Sequence, residues 1–294
     1  DSAQSKYSSI FPIWPGLNSK YSWQVARWLP PEAIQYSSSD QRCPLSVFNN
    51  PQPNDILQGK LGDCWLIAAL SLVAEVPSIL YKIMVTKDYN LRGVYQVRLC
   101  DRGIWKVITV DDRLPVNKYN TFIFTHAKRR QLFASLIEKA FAKLHGNYSA
   151  LRSGRCDEGL QTLTGEPTEV IFLRSSGGRL KEPSKQTDRE SIWRRISIAK
   201  RLGYLMTCPA SNPKLNESVF DEYGIESNHA YSIIDVRVSS YGTREVVLRN
   251  PWGGRSSSSS SVGSSDGLIT LNYYDMPTFF SSISLCKFNP TWSE

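Results

Sequence analysis

One cysteine of this chain occupies a position where a thiol can act as a nucleophile. Cys64 follows the glycine-containing turn 59–63 and begins an apolar run, interrupted only by Ser71, that continues to Ala74. That apolar continuity predicts a buried helix with the cysteine in its first turn. The unpaired amides and the dipole of a helix N-terminus favour a thiolate. The position therefore predicts nucleophilic chemistry, although most unpaired cysteines are simply small buried apolar side chains.

A cysteine nucleophile needs a base, and a third group must orient that base. Of the three histidines, His126 lies in a polar segment, His145 ends a predicted helix, and His229 begins an apolar strand. Asn250 follows a later strand, 21 residues after His229. Adjacent antiparallel strands with a short connection place the start of one beside the end of the next. We therefore expect Asn250 to bond one ring nitrogen of His229 and leave the other facing Cys64.

Two further side chains complete the expected site. Gln58 lies six residues before Cys64, and its amide is placed across the turn to donate to a developing oxyanion together with the Cys64 N–H. Trp252 stands two residues after Asn250 and is expected to shield the His229–Asn250 hydrogen bond from water. Cysteine, histidine and asparagine in this order, each at an element boundary, indicate a catalytic triad.

The periodicity around these residues predicts a helical first half and a strand-rich second half. Helices are predicted at 64–74, 77–80, 131–144 and 191–202, and strands at 94–99, 104–110, 230–236 and 245–249. The polar segment 174–183 contains glycine and proline and is predicted to be a linker. We therefore predict one unit over residues 1–175, which carries the cysteine, and a second over 176–294, which carries the histidine and asparagine. The serine-rich segment 256–265 is predicted to be a flexible loop.

Composition narrows the class of protein. The chain has 294 residues, 41% of them hydrophobic, and a net charge of +8. Its basic residues cluster only in two short helix-like places without a recognition motif, so nucleic-acid binding is not expected. No apolar run approaches the roughly 20 residues of a membrane span. The six cysteines are dilute and form no CxxC pair, which predicts reduced thiols in a cytoplasmic protein. Because the chain does not begin with methionine, further domains of a longer chain are expected.

Taken together, these segments resemble the calpain family of cysteine proteases. The resemblance lies in the nucleophile motif 58–65, the histidine motif 229–232, the asparagine motif 249–253 and the intervening segments 138–146 and 158–165. Details of the segments 59–62, 95–100 and 142–146 resemble the small-optic-lobes branch. The resemblance implies an α+β, papain-like fold with a helical first subdomain, a β-rich second subdomain and a cleft between them. It also implies limited proteolysis of protein substrates through a thioester.

The resemblance implies calcium as an activator, whereas the chemistry itself requires no cofactor. Asp55 and Asp266 match calcium ligands of the first and second subdomains. The chain departs from the family at Ser149, where an acidic ligand is usual, and in the serine-rich segment 256–265, where the family has an acidic loop. Because Ca²⁺ takes six to eight oxygen ligands, we expect weak or absent binding in the second subdomain.

Two other classes of protein stay open. One is a calpain-like binding or scaffold module that is catalytically impaired. The altered calcium loops and Asn228, which stands where the family has glycine before the histidine, favour this module, whereas the complete triad argues against it. The other is a transglutaminase-like acyl transferase, which also uses a cysteine and a histidine. Its third member is usually an aspartate, so Asn250 argues against it.

Overall fold

The computed structural model describes residues 25–174, 186–252 and 267–288. Most of the predicted linker, the serine-rich segment 256–265 and Asp266 lie outside the described residues. Over the described ranges the chain is α+β, as predicted, with helices concentrated in the first half and one large sheet in the second.

The first half of the described chain builds a helical layer with three small two-stranded sheets. Its elements are β1 (Arg27–Leu29), β2 (Ile56–Leu57), α1 (Cys64–Ala74), α2 (Pro77–Ile83), β3 (Val94–Asp101), β4 (Ile104–Asp111), β5 (Leu114–Val116), β6 (His126–Ala127), α3 (Phe133–Leu144) and α4 (Cys156–Thr164). Strand β1 pairs with β5, β2 with β6 and β3 with β4, all antiparallel.

The second half forms a six-stranded antiparallel sheet. Its elements are β7 (Thr168–Phe172), α5 (Gln186–Arg201), β8 (Leu205–Ala210), α6 (Glu217–Glu222), β9 (His229–Val238), β10 (Arg244–Arg249), β11 (Leu268–Asn272), α7 (Met276–Phe279) and β12 (Ser282–Cys286). The strand order is β11-β10-β9-β8-β12-β7. Because β7 precedes residue 175 and belongs to this sheet, the sheet begins within the first predicted unit. The boundary at 175 stays a prediction.

Helix α1 is the centre of the first core, which explains why its sequence is apolar except for Ser71. Every residue after Cys64 in this helix is buried, so no polar face is needed. Each buried aliphatic or aromatic side chain contributes roughly 1.5–3 kcal/mol relative to an exposed one. The helix packs against α4 on one side and β9 on the other. It therefore carries Cys64 up to the start of β9, an inner strand of the large sheet.

Two polar contacts join α1 to the sheet at separate points. Ser232 Oγ on β9 donates a hydrogen bond to the carbonyl of Ala68, over 2.8 Å, inside the contact. Arg249 at the end of β10 pairs with Glu75, the residue after α1, with 2.5 Å between nitrogen and oxygen. A second core, on the sheet itself, is formed with side chains of α5 and α7. The relative position of Cys64 and the sheet is thus held by packing and by two directional contacts.

The described helices include none that on its own has the length and apolar character to cross a bilayer. Helices α1 and α2 reach that length only together, and they are bent by 118° relative to one another.

Candidate active site

Cys64 is the first residue of α1, as the sequence predicted, and Asp63 is its N-cap. The turn before it is tightly constrained. Gly62 adopts a φ of +81°, a left-handed conformation that a side chain disfavours. Lys60 N–H donates to the carbonyl of Ile123, over 2.8 Å, and so holds the turn against the neighbouring segment. The cysteine is half-buried at the start of a helix whose remaining residues are buried.

Replacing Gly59 by alanine is expected to destabilise the protein by about 3 kcal/mol, since overpacking costs roughly 1–3 kcal/mol and here the obstacle is backbone. A Cβ at this position would lie 2.3 Å from the carbonyl oxygen of Ile123 and 2.3 Å from Cα of Phe124. Urea denaturation measures the loss. Gly103→Ala is the control, because its Cβ would meet open space and only its φ of +81° carries a cost, about 1 kcal/mol. Equal losses for the two variants would contradict the close approach at Gly59.

His229 and Asn250 meet at the end of two paired strands. His229 is the first residue of β9, and Asn250 directly follows β10, its antiparallel partner. Arg249, the last residue of β10, is paired with Ser232 on β9. Asn250 therefore lies close to the start of β9, which is His229. His229 Nε2 and Asn250 Oδ1 are 2.9 Å apart, and the two residues are only 4% and 5% exposed. The predicted hydrogen bond between His229 and Asn250 is present in the structure.

The surroundings of Asn250 define the tautomer of the histidine. Asn250 Oδ1 also accepts the backbone N–H of Trp252, over 2.9 Å. A backbone N–H can only donate, so the atom that receives it must be the amide oxygen. His229 Nε2 must then carry a proton in order to bond to the same oxygen. In the neutral imidazole this leaves Nδ1 unprotonated, with a lone pair that can accept a proton.

Trp252 lies beside this hydrogen bond. Its ring centroid is 4.4 Å from that of His229, and the two ring planes are inclined at 46°. Tyr231 also packs against the imidazole, with centroids 5.3 Å apart and ring planes inclined at 86°. Two aromatic rings therefore limit the movement of His229. The indole position agrees with the predicted shielding role, which stays a prediction.

Cys64 reaches the same place from the helical side. Its thiol lies against the backbone N–H of Ala230, the residue after His229. Burial raises the pKa of the Cys64 thiol. The hydrogen bond from the Ala230 N–H lowers this pKa, whereas the charge of Asp63 raises it. Burial also lowers the pKa of His229 to about 4, against the effect of the Asn250 hydrogen bond. In this arrangement the thiol and the imidazole are therefore both neutral at pH 7.

This outcome corrects the expectation of a lowered thiol pKa at the start of α1. The helix N-terminus is present, but removal of the thiol from water outweighs it. Among the described residues no hydrogen bond joins the Cys64 thiol directly to the His229 ring.

Gln58 stands in the turn before α1 and is half-buried. Its Oε1 atom is buried and receives no hydrogen bond from the described residues. No described contact links its amide to Cys64, so the oxyanion role of Gln58 stays a prediction. The other two histidines lie elsewhere: His126 stacks on Phe122, with centroids 4.5 Å apart, and His145 stacks on Phe141.

Asp55, the predicted calcium ligand of the first half, is engaged by other side chains. Arg129 forms an ion pair with its carboxylate, Gln131 Nε2 donates to Oδ2 over 3.0 Å, and the Gln52 N–H donates to the same oxygen over 2.8 Å. Calcium needs several free oxygen ligands. Within the described ranges no group of three or more His, Cys, Asp or Glu side chains is placed to hold a metal. The residues around Asp55 therefore do not fit calcium, and its role as a ligand stays a prediction that this geometry does not favour.

Two buried carboxyl groups near the thiol were not assigned a role from the sequence. Asp63 precedes Cys64, and Glu138 lies on α3 among residues that are buried on every side. The sequence did contain a signal for Glu138, because an acidic residue within the apolar pattern of the predicted helix 131–144 is unusual.

A helical layer that presents a cysteine at a helix N-terminus, beside a sheet that presents a histidine–asparagine pair, is the arrangement of a papain-like cysteine protease fold. Over residues 4–264 the sequence matches the profile of the calpain family cysteine protease. The chain belongs to this family.

Curated relatives are similar over most of this chain. The calpain-type cysteine protease DEK1 of Arabidopsis thaliana is 32% identical over 286 residues, which cover 90% of this chain and 13% of the relative. The calpain-type cysteine protease ADL1 of Oryza sativa subsp. japonica is 33% identical over 305 residues, covering 96% and 13%. Calpain-13 of Rattus norvegicus is 32% identical over 233 residues, covering 77% and 32%. The chain thus spans 13–32% of the length of these relatives. Membership of the small-optic-lobes branch stays a prediction.

Proposed function

We propose that this chain is the protease core of a calpain-like cysteine endopeptidase that cleaves protein substrates at a limited number of sites. The observation that carries the proposal is the shared oxygen of Asn250, which accepts both His229 Nε2–H and the Trp252 N–H. It leaves His229 Nδ1 as the free base, on the segment whose next N–H contacts the Cys64 thiol. The approach of Cys64 to a His229–Asn250 pair from a distant part of the sequence supports the proposal.

The proposed reaction begins with transfer of the thiol proton from Cys64 to His229 Nδ1 as the sulfur attacks the carbonyl carbon of the substrate. The carbonyl oxygen becomes an oxyanion, which the Cys64 N–H and the Gln58 amide stabilise. His229 then returns the proton to the leaving amine, the peptide C–N bond breaks and a thioester remains. A water molecule, deprotonated by His229, attacks the thioester. The acid product leaves, and the thiol recovers its proton.

The pKa shifts of the two groups define what substrate binding must accomplish. Burial favours the neutral thiol and the neutral imidazole, so the ion pair forms only when each charge is stabilised by the other and by the oxyanion donors. We propose that proton transfer therefore accompanies attack. The second candidate function, a calpain-like binding module without activity, is favoured by this same preference for neutral forms.

A peptide that carries a thiol-directed epoxide is expected to label Cys64 and no other cysteine in the native protein. Of the five remaining cysteines, four are buried, and Cys43 is not at the start of a long helix. Because Arg129 occupies the Asp55 carboxylate, labelling is expected in a calcium chelator as well as with calcium. Peptide mapping by mass spectrometry locates the label, and Cys64→Ser is the control. An unlabelled Cys64 in both conditions, together with intact casein, would favour the binding module instead.

We further propose a cytoplasmic location and additional domains in the longer protein. All six cysteines are free, although several are buried close to other elements, which suits a reducing compartment. The small share of each relative that this chain covers supports the presence of other domains. The chemistry proposed here requires no cofactor.

A further inference from the structure

Two carboxyl groups lie together beneath the start of the nucleophile helix. Asp63, the N-cap of α1, is 0% exposed, and Glu138 on α3 is 1% exposed. Burial of an ionised carboxylate is costly unless hydrogen bonds or a cation compensate for the lost water. Neither carboxyl group takes part in the proposed hydrolysis.

The donors available to this pair are few. Glu138 Oε1 accepts the Thr125 N–H over 3.0 Å, and Ser135 Oγ donates to the Thr125 carbonyl over 2.8 Å, which holds that backbone in place. Both carboxyl oxygens of Asp63 are buried, and the only backbone N–H of the described residues that acts on them is that of Asp63 itself. The polar side chain that does reach Asp63 is Glu138 itself. Two carboxylates cannot bond to each other, so this contact requires a proton between them.

The surroundings show which carboxyl holds that proton. Burial and the charge of Asp63 raise the pKa of Glu138 well above its usual range. Burial raises the pKa of Asp63 to about 6, while the hydrogen bond from Glu138 lowers it. At neutral pH Glu138 is therefore the protonated donor and Asp63 the anion.

Other titratable groups face the pair from the surrounding elements. Cys64 follows Asp63 on α1, and the buried hydroxyl of Tyr148 approaches from the turn after α3. No lysine or arginine is among the leading causes of the pKa shift of either carboxyl. Lys139, next to Glu138 in sequence, bonds instead to Asp111 over 2.7 Å. The charge of Asp63 acts on the Cys64 thiol, which the buried Cys156 thiol and Tyr231 hydroxyl also face.

We propose that Asp63 and Glu138 are positioning residues that share one proton beneath α1, and that the Asp63 anion controls how firmly the Cys64 thiol retains its proton. The proposal deepens the proposed function, because it rests on Cys64 being the nucleophile. The charge of Asp63 adds to burial, the larger cause, in keeping the thiol neutral at rest. The carboxyl pair also anchors the start of α1 to α3, so that the charge is held at a fixed place beside the sulfur.

The pH dependence of Cys64 alkylation by iodoacetamide tests the proposal. In Glu138→Gln the amide still donates to Asp63 and its oxygen still accepts the Thr125 N–H, so the alkylation midpoint is expected to stay near that of the unaltered protein. In the double variant Asp63→Asn, Glu138→Gln the charge is gone, and the midpoint is expected to fall by about one pH unit. Glu158→Gln, which removes an exposed carboxyl from α4, is the matched control and is expected to leave the midpoint unchanged.

A second measurement detects the proton itself. The infrared C=O stretch of a buried protonated carboxylic acid is expected at pH 7 in the unaltered protein and is expected to disappear in Glu138→Gln. Absence of this band from the unaltered protein would overturn the shared proton even if the double variant fails to fold. Equal alkylation midpoints in a folded double variant would overturn the control of the thiol. Neither the alkylation midpoint nor the infrared band depends on peptide cleavage. If the midpoint shifts as expected but the protein leaves casein intact, the proposed protease function is wrong and the role of the carboxyl pair stands.

Discussion

Replacing Cys64 by alanine is expected to lower casein cleavage by at least about 10⁴-fold, to the level of buffer alone, as loss of a covalent nucleophile does. The His229–Asn250 hydrogen bond joins two residues of the sheet, so it is expected to survive the substitution. What is lost is the sulfur that forms the thioester. The rate of appearance of casein peptides, followed by mass spectrometry, measures the effect.

Cys43→Ala is the matched control for this variant. Cys43 is half-buried like Cys64, but it follows a short turn and is not at the start of a long helix. Its backbone carbonyl accepts a hydrogen bond from Arg130, a contact that alanine retains. Cleavage is expected to stay within about twofold of the unaltered protein, since a substitution away from the site has little effect on the rate. If Cys64→Ala cleaves casein as fast as Cys43→Ala, the proposed mechanism is wrong.

Replacing Asn250 by alanine is expected to lower kcat by about 10²–10⁴-fold with a smaller change in KM, because loss of the orienting partner leaves the base in the wrong tautomer. Without the amide oxygen, His229 Nε2 and the Trp252 N–H lose their common acceptor. The imidazole proton is then free to occupy Nδ1, which removes the lone pair that should receive the thiol proton. Steady-state kinetics on a fluorogenic peptide separates kcat from KM.

The tautomer can be observed directly. Nitrogen NMR of the imidazole is expected to show protonated Nε2 in the unaltered protein and a mixture of tautomers in Asn250→Ala. Asn272→Ala is a suitable control, since Asn272 Oδ1 likewise accepts the backbone N–H two residues further on, that of Tyr274, over 3.0 Å, but Asn272 is paired with Glu245 at the end of β10 away from Asn250. An unchanged kcat in Asn250→Ala, or an Nδ1-protonated ring in the unaltered protein, would contradict the assignment.

Much of the local structure could be predicted because the relevant signals are short-range. The apolar run after Cys64 predicts a helix, and the helix begins at that residue. Alternation of apolar residues predicted the hairpins β3–β4 and β9–β10, and the structure confirms both. The pairing of β9 with β10 then follows from their short connection, which is why the His229–Asn250 contact could be anticipated from sequence.

The state of the site depended on burial and on contacts between distant segments. A helix N-terminus favours the thiolate of Cys64, but only the packing of α1 against β9 reveals how much water the thiol loses, and this loss reverses the pKa shift. Similarly, Asp55 matched a calcium ligand by its position, whereas the ion pair with Arg129 requires two segments 74 residues apart to meet.

The sequence by itself determined the chemical identities of the site: a cysteine at the start of a buried helix, and a histidine and an asparagine at the ends of paired strands. These depend on periodicity and turns, which act over a few residues. Only the tertiary structure decided which groups are charged. Asp63 and Glu138 are 75 residues apart in the chain, and their shared proton follows from both being excluded from water at one place. Desolvation depends on everything that surrounds a group, and so it is a property of the folded chain as a whole.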